Sequence, residues 1–301
     1  VSTRVAPTAF LDPALLARIS DLELLARTVV DGFMHGVHRS ARKGSSLDFA
    51  EHRAYQPGDD LRRIDWRLFA RTDRYYVKQY EADTNVSAWF ALDTSASMDF
   101  STSGVTKFDY ARFLVASLAW LSKQQGDRVG LVTMGDDLGE VIPPSARHLQ
   151  RILHTLGRTQ ASGRGQLLAT LERVAHVTTR AGVVVVVTDC YEPPDQLGRA
   201  LDTLRSRGHD VIVFHPIDPG EKELSFTVPL TLEDAESGQR LPLRPDELRS
   251  KYRDAFAAHR TALTARIAAA GADYVPLDTT EPLDRALHAY LDMRAMRHPG
   301  R

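Results

Sequence analysis

The chain has 301 residues, 43% hydrophobic and 26% charged, and its 38 Lys+Arg against 39 Asp+Glu leave a formal charge of -1. So close a balance removes the global electrostatic drive that phosphate backbones and anionic membranes exploit, which argues against nucleic acid as a partner. The single cysteine, Cys190, excludes an intramolecular disulfide framework and a cysteine-rich zinc site. No apolar run nears the roughly 18 residues of a bilayer span, so direct membrane insertion is not expected. Arg4, Asp12, Arg18 and Asp21 interrupt the start of the chain, unlike the apolar core of a signal peptide. A cytoplasmic protein is the expectation.

Residues 14–37 carry helical spacing, with Leu15, Leu16, Ile19, Leu22, Leu25 and Val29 or Val30 on related faces. From His38 to Asp83 the pattern turns irregular and charged, punctuated by Pro57-Gly58-Asp59-Asp60. Strands and helices alternate from Val86 onward. Val86–Leu92 reads as a strand, Lys107–Gln124 as an amphipathic helix and Val129–Met134 as a second strand. Leu138–Ile142 is extended and stops at Pro143-Pro144, which suits a sheet edge. Helices follow over Ala146–Leu156 and Gln166–Val177. Val183 to Val187 are five consecutive valines, too β-branched and continuous for anything but a strand buried on both faces.

A helix near Gln196–Ser206 and the strand Val211–His215 come next. Over residues 221–243 the alternation breaks: Leu224–Leu232 and Arg240–Leu243 read as short extended segments around Ser237-Gly238, a hairpin insertion at the rim. Pro245–Ala270 is a long helix, Tyr274–Pro276 belongs to a short last strand, and Pro282–Arg297 closes the chain as a helix. Alternation of this kind predicts an α/β fold, a doubly wound, mainly parallel sheet with helices on both faces. Two regions are expected: residues 1–84, an N-terminal helix with a charged segment, and residues 85–301, the α/β domain with its hairpin near 221–243.

The first strand delivers Asp93, Ser95 and Ser97 onto the loop that follows it. Ligands of open α/β sheets sit at the carboxyl ends of the strands. One carboxylate and two hydroxyls are hard oxygen donors suited to Mg²⁺ or a similar divalent ion. The same residue types also serve as plain turn and cap groups. Val187-Thr188-Asp189 ends the valine strand and projects Asp189 toward the same edge, where it either joins Asp93 or caps the next helix. Gly163-Arg164-Gly165-Gln166 is a third loop, with Thr159 and Ser162 just before it.

Covalent machinery is missing: there is no Gly-x-Ser-x-Gly elbow, no P-loop and no Gly-x-Gly-x-x-Gly after a strand. A phosphate-accepting aspartate of the haloacid-dehalogenase type has a second Asp two residues on; here that position is Ser95. His35 and His38 are close in sequence but read as solvated.

The stretch Asp48-Phe49-Ala50-Glu51-His52-Arg53-Ala54-Tyr55-Gln56-Pro57-Gly58-Asp59-Asp60-Leu61-Arg62-Arg63-Ile64-Asp65-Trp66, followed by Ala70-Arg71, resembles the signature of a bacterial family known as the domain of unknown function 58 family. It departs from that signature at Asp48, where Glu is usual. The resemblance extends over about residues 30 to 290. It implies a von Willebrand factor A-like domain and an association with MoxR-type AAA+ ATPases. In A-like domains a metal-ion-dependent adhesion site takes Asp-x-Ser-x-Ser from one loop, a Thr from a second and an Asp from a third. The resemblance therefore implies Asp93, Ser95, Ser97 and Asp189 as ligands of Mg²⁺ or Mn²⁺, with Gly165 standing where the Thr would be.

Within the signature, Glu51, Arg53, Tyr55, Asp59, Asp60, Arg62, Asp65, Trp66 and Arg71 are the candidate structural or interaction residues. Near-balanced charge there suits a network of bidentate Arg–carboxylate pairs rather than a phosphate groove. The function these readings imply is a non-enzymatic interaction module, an adaptor or assembly factor. It would work with a MoxR-type AAA+ ATPase or that ATPase's client, and bind a partner's carboxylate through the adhesion-like site. The competing readings are a metal-dependent phosphohydrolase using Asp93, and a metal-free interaction domain using the arginine-rich segment.

Overall fold

The valine run forms β6 (Val183–Val187), all five residues wholly buried. A strand can be apolar on both faces only where helices cover both, so its surroundings follow from its composition. The computed structural model describes residues 12–41, 52–54, 76–78, 86–178, 180–224, 226, 230–236, 238–243 and 245–297. Beside β6 run β3 (Ser87–Asp93) and β7 (Asp210–Ile217), then β4 (Arg128–Met134), β5 (Leu138–Ser145) and β10 (Asp273–Asp278). The order across the sheet is β10-β7-β6-β3-β4-β5. All neighbours are parallel except the edge strand β5, which is antiparallel to β4.

Period-two alternation sorts the sheet's side chains into two cores. Phe90, Leu92, Val185 and Val187 join one with α2 (Leu22–Ala41), α3 (Lys107–Gln124), α4 (Leu149–Arg158) and α9 (Asp284–Arg297). Trp89, Ala91, Val184 and Val186 join the other with α5 (Leu167–Val177), α6 (Pro194–Ser206) and α8 (Pro245–Ala269). The doubly wound α/β sheet expected from the alternation is therefore present. α2 packs on α3 and α4, with Leu25, Val29 and Val30 fully buried.

Several expected boundaries are corrected, among them that of β5, which runs through Pro143 and Pro144 to Ser145 instead of stopping at the prolines. The helix expected over 14–37 is two: α1 (Pro13–Leu16), then α2 from Leu22. Asp21 interrupts the period, because its Oδ1 accepts the amides of Glu23 and Leu24 at 2.8 and 3.3 Å and starts a new helix. The helix expected from Ala146 begins at Leu149, since a turn holds His148, whose Nδ1 lies 2.7 Å from the Pro143 carbonyl. The extended stretch expected from Leu224 is preceded by a helical turn, α7 (Pro219–Glu223). Its capping box pairs Asp218 with Glu221, and Leu224 closes it at φ 45°. The hairpin then forms as expected, β8 (Leu230–Glu233) against β9 (Arg240–Leu243), antiparallel. In the signature region, β1 (His52–Ala54) pairs antiparallel with β2 (Tyr76–Lys78), Arg53 opposite Val77.

Close backbone approach at the β5 edge needs Gly130: a Cβ there would lie 2.8 Å from the Ile142 carbonyl and 2.9 Å from the Pro144 nitrogen. At the far end of the chain α9 is clamped to the α3–β4 turn. Arg294 forks onto the wholly buried Asp127, and Tyr290 hydroxyl meets Ser122 Oγ at 2.7 Å.

On β7, His215 is buried beside β10, its Nδ1 2.7 Å from the Tyr274 hydroxyl. Burial, reinforced by Lys107, Arg260 and His259, pushes its pKa down to about 3. The unfolded chain takes up that proton near pH 6.5, so the imidazole contributes stability that is complete above pH 6.5 and drains away as pH falls toward 3. The expected slope is about 1.4 kcal/mol per pH unit across that window. Urea melts at pH 7 and pH 4.5 should show His215→Gln losing less stability than wild type on acidification.

Candidate functional site

β3 and β6 run side by side in register from Ala88 opposite Val183 to Leu92 opposite Val187. Their carboxyl ends therefore open together, and the loops after them share one crevice. Asp93 is the last residue of β3, and Ser95 to Ser97 lead into a 3₁₀ turn, Ala96–Asp99. Asp93 Oδ1 accepts the Ser95 amide at 2.9 Å, and its Oδ2 accepts the Thr188 hydroxyl at 2.7 Å. Thr188 belongs to the loop after β6, so this bond ties first loop to third. Ser95 Oγ and Ser97 Oγ lie 3.1 Å apart.

The second loop is stapled to the first by backbone. Ser162 donates its amide to the Thr94 carbonyl at 2.8 Å, and Ala96 donates to the Gly163 carbonyl at 3.0 Å. Gly163 adopts φ 77° with the Asp136 carboxylate packed against it, and Asp136 accepts the Arg164 amide at 2.5 Å. Gly165 abuts Ser95: a Cβ there would sit 3.2 Å from Ser95 Cβ and 3.6 Å from its Oγ. With Glu236 Oε1 3.4 Å from that same position, a larger residue at 165 would have to displace a neighbour.

Asp189, 4% exposed, points to a lysine. Lys107, the first residue of α3, is fully buried, and its Nζ lies 2.9 Å from Asp189 Oδ2 and 2.6 Å from Glu221 Oε1 on α7. The Tyr191 hydroxyl donates to the same Glu221 oxygen at 2.7 Å, and its ring lies 4.7 Å from the ammonium. Burial alone would pull the ammonium's pKa down; the carboxylates of Asp189 and Glu221 reverse this and hold it above its usual value. Cys190 is held at φ 55° with its carbonyl 2.9 Å from His259 Nε2. The third loop is thereby pinned from α8.

Negative charge is crowded here. Burial and the facing Asp189 carboxylate push Asp93 up to about 6. Burial, with Asp93, Asp189 and Glu236 adding, pushes Glu192 up to about 7. Glu236, at the hairpin tip, lies against the second loop, its carbonyl 3.1 Å from Arg164 Nε, and burial, with Asp189 and Asp234 adding, raises its pKa.

Asp93, Ser95, Ser97 and Asp189 are accordingly gathered at one sheet edge. Glu51, Tyr55, Asp59, Asp60, Arg62, Asp65, Trp66 and Arg71 lie outside the described residues, and of Arg53 only the strand placement is described. Sequence reasoning missed Lys107, Thr188, Glu192, Glu221 and Glu236 as site groups. The Asp218-Pro219-Gly220-Glu221 capping box was a legible sign of a turn that brings Glu221 inward. Among the described residues no three His, Cys, Asp or Glu side chains are arranged to hold a metal; the donor set here mixes carboxylates with hydroxyls.

Removing the ammonium strands two buried carboxylates, and a buried charge deprived of its partner costs about 3–5 kcal/mol. Lys107→Ala should lose stability on that scale in urea melts, and Glu221→Gln in the Lys107→Met background should regain part of it.

Over residues 51–262 the chain matches the family described as "Protein of unknown function DUF58". It is 34% identical over 274 residues to the uncharacterised protein Rv1480 of Mycobacterium tuberculosis, spanning 89% of this chain and 86% of that one. With the uncharacterised protein MAV169 of Mycobacterium avium it shares 30% identity over 140 residues, 45% of this chain and 82% of the relative. Among solved structures it is similar to BatB from Bacteroides thetaiotaomicron, with a TM-score of 0.49 at 16% identity over 70% of this chain and 99% of that one. It is also similar to the SpRpn10 VWA domain, with a TM-score of 0.42 at 12% identity over 70% of this chain and 97% of that one. The chain belongs to the DUF58 family of proteins of unknown function.

Proposed function

We infer that the chain is a protein-interaction module which takes up a partner's carboxylate through a divalent cation, Mg²⁺ or Mn²⁺, held by Asp93, Ser95, Ser97 and Asp189. The observation that carries this reading is the convergence of the β3 and β6 loops, which sets two carboxylates and two hydroxyls at one rim. The donors fit such an ion: all are hard oxygens, and Mg²⁺ needs only a few from protein because it keeps several waters. Crowding of Asp93, Asp189, Glu192 and Glu236 around one crevice, with Lys107 turned to Asp189 and Glu221, favours a cation there.

An enzyme reading has less support. Both oxygens of Asp93 already accept hydrogen bonds, and the residue two positions on is Ser95 rather than a second acid. The partner fits an AAA+ ATPase of MoxR type or its client, on the strength of the resemblance in residues 48–71, and the role is then that of an adaptor or assembly factor.

Calorimetry with Mg²⁺ and Mn²⁺ checks the cation. Wild type should bind, and Asp93→Ala and Ser95→Ala should weaken binding at least about tenfold. Retention of a MoxR-type AAA+ ATPase on immobilised protein should fall on chelation and in the same variants. Binding of that partner indifferent to chelator, with no heat from either ion, would replace this reading with a metal-free surface. Hydrolysis of a phosphate ester that Asp93→Ala abolishes would replace it with the phosphohydrolase.

A further inference from the structure

Beside the α7 turn, α7 and α8 part to leave a cleft of about 380 Å³. Lys222 and Glu223 line it from α7, and Arg253, Asp254, Phe256 and Arg260 from α8. Arg253 and Arg260 stand seven residues apart, so the helical period sets both on one stripe of α8. The walls are tied together just before that stripe. Arg249 donates its Nε to the Leu224 carbonyl at 3.2 Å and its Nη2 to the Phe226 carbonyl at 2.8 Å, holding the chain that leaves α7 against the long helix.

Charge in the cleft does not cancel: three cationic heads meet two carboxylates. Of these, Glu223 is engaged by Arg253 at 3.8 Å, and both members of that pair are about half exposed. Such a surface pair is worth little and opens at little cost. Arg260 is placed differently. The residue is half-buried, and its Nε is buried without a hydrogen-bond partner among the described residues. A buried donor on a charged group is costly to leave unpaired. The titratable neighbours that feel its charge, His215 and Tyr274, are both neutral at pH 7: burial pushes the first down to about 3 and the second above its usual value. An anion is what this end of the cleft lacks.

We propose that the α7–α8 cleft binds a phosphate-bearing small molecule, its phosphate oxygens taken by Arg260, Arg253 and Lys222. Two guanidinium forks and an ammonium offer more donors, from more directions, than the two coplanar oxygens of a carboxylate can use; a phosphate brings three oxygens and close to two charges. The volume exceeds that of a bare phosphate and falls in the range of small-molecule sites. Phe256, stacked on Tyr252 with ring centroids 6.1 Å apart and planes 15° from parallel, gives the organic part an aromatic wall. Lys222 and Glu223 directly follow Glu221, which accepts from Lys107 and Tyr191. Occupancy of the cleft therefore bears on the turn that steadies the third loop. The site stands independently of the cation inferred above.

The test titrates the full chain with ADP and with pyrophosphate, in calorimetry at fixed ionic strength. ADP should bind more tightly than pyrophosphate, and Phe256→Ala should remove that advantage. Arg260→Met, which keeps the apolar stem, should weaken both probes at least about tenfold. Lys222→Ala, at an exposed side chain, should weaken both about two- to fivefold. Lys251→Ala, an exposed cation on α8 outside the cleft, should match wild type. In ¹H–¹⁵N spectra of the arginine side chains, the Arg260 Nε–H resonance should move as ADP saturates the protein. Absence of binding by either probe would overturn the proposal. So would binding that Arg260→Met and Lys222→Ala leave unchanged, or that Lys251→Ala weakens as much as they do.

Discussion

A buried ammonium holds the working end of this molecule together. Lys107 begins α3, Asp189 follows β6 and Glu221 sits on α7, so three elements distant in sequence meet on one nitrogen. None of these groups would tolerate burial alone. An ammonium or carboxylate removed from water costs several kcal/mol and is retained only when paired and hydrogen-bonded. The fit is made by the α7 turn, and that turn is in turn fixed by Asp218. Its carboxylate accepts the amides of Thr102 and Gly220 and bonds the Thr102 hydroxyl. First loop, third loop and α7 are thus one electrostatic unit, and the crevice between them inherits its shape.

That unit also decides how the two acidic loop residues differ. Asp189 has a fixed positive neighbour, whereas Asp93 is hydrogen-bonded only to neutral donors, the Ser95 amide and the Thr188 hydroxyl. Of the two, only Asp189 has its charge balanced by a cationic side chain among the described residues. The αL backbone at Cys190, tethered by His259, keeps Thr188 and Asp189 aimed into the crevice rather than along the next helix.

Much of this was legible in the chain. Five consecutive valines can only be the middle of a two-sided sheet, and the apolar strand before Asp93 had to end at the same rim. Strand direction put Asp93, Ser95 and Ser97 at the carboxyl rim, while Asp189 stood open between joining Asp93 and capping the next helix until β3 and β6 proved to be neighbours. Lys107 was not. A lysine opening an amphipathic helix looks like any solvated charge, and its burial depends on Glu221, which lies 114 residues on. Glu236 was hidden for a related reason: Asp234 to Gly238 reads as an ordinary polar turn, and where its tip lands is set by the rigid placement of β7 and α8. The break at Asp21 shows the opposite failure, in which a correct helical period concealed a side chain able to start the helix afresh.

The outer strands carry one more consequence. β5 carries Pro143 and Pro144 just before its last residue, Ser145, and β10 contains Pro276. A proline offers no amide to a neighbouring ladder and interrupts strand addition. Both flanks of the sheet are therefore poor templates for β-augmentation, by a second copy or by an extended peptide. Main-chain pairing is thus disfavoured at both flanks, and the surface left open to recognition is the side-chain chemistry of the loop end.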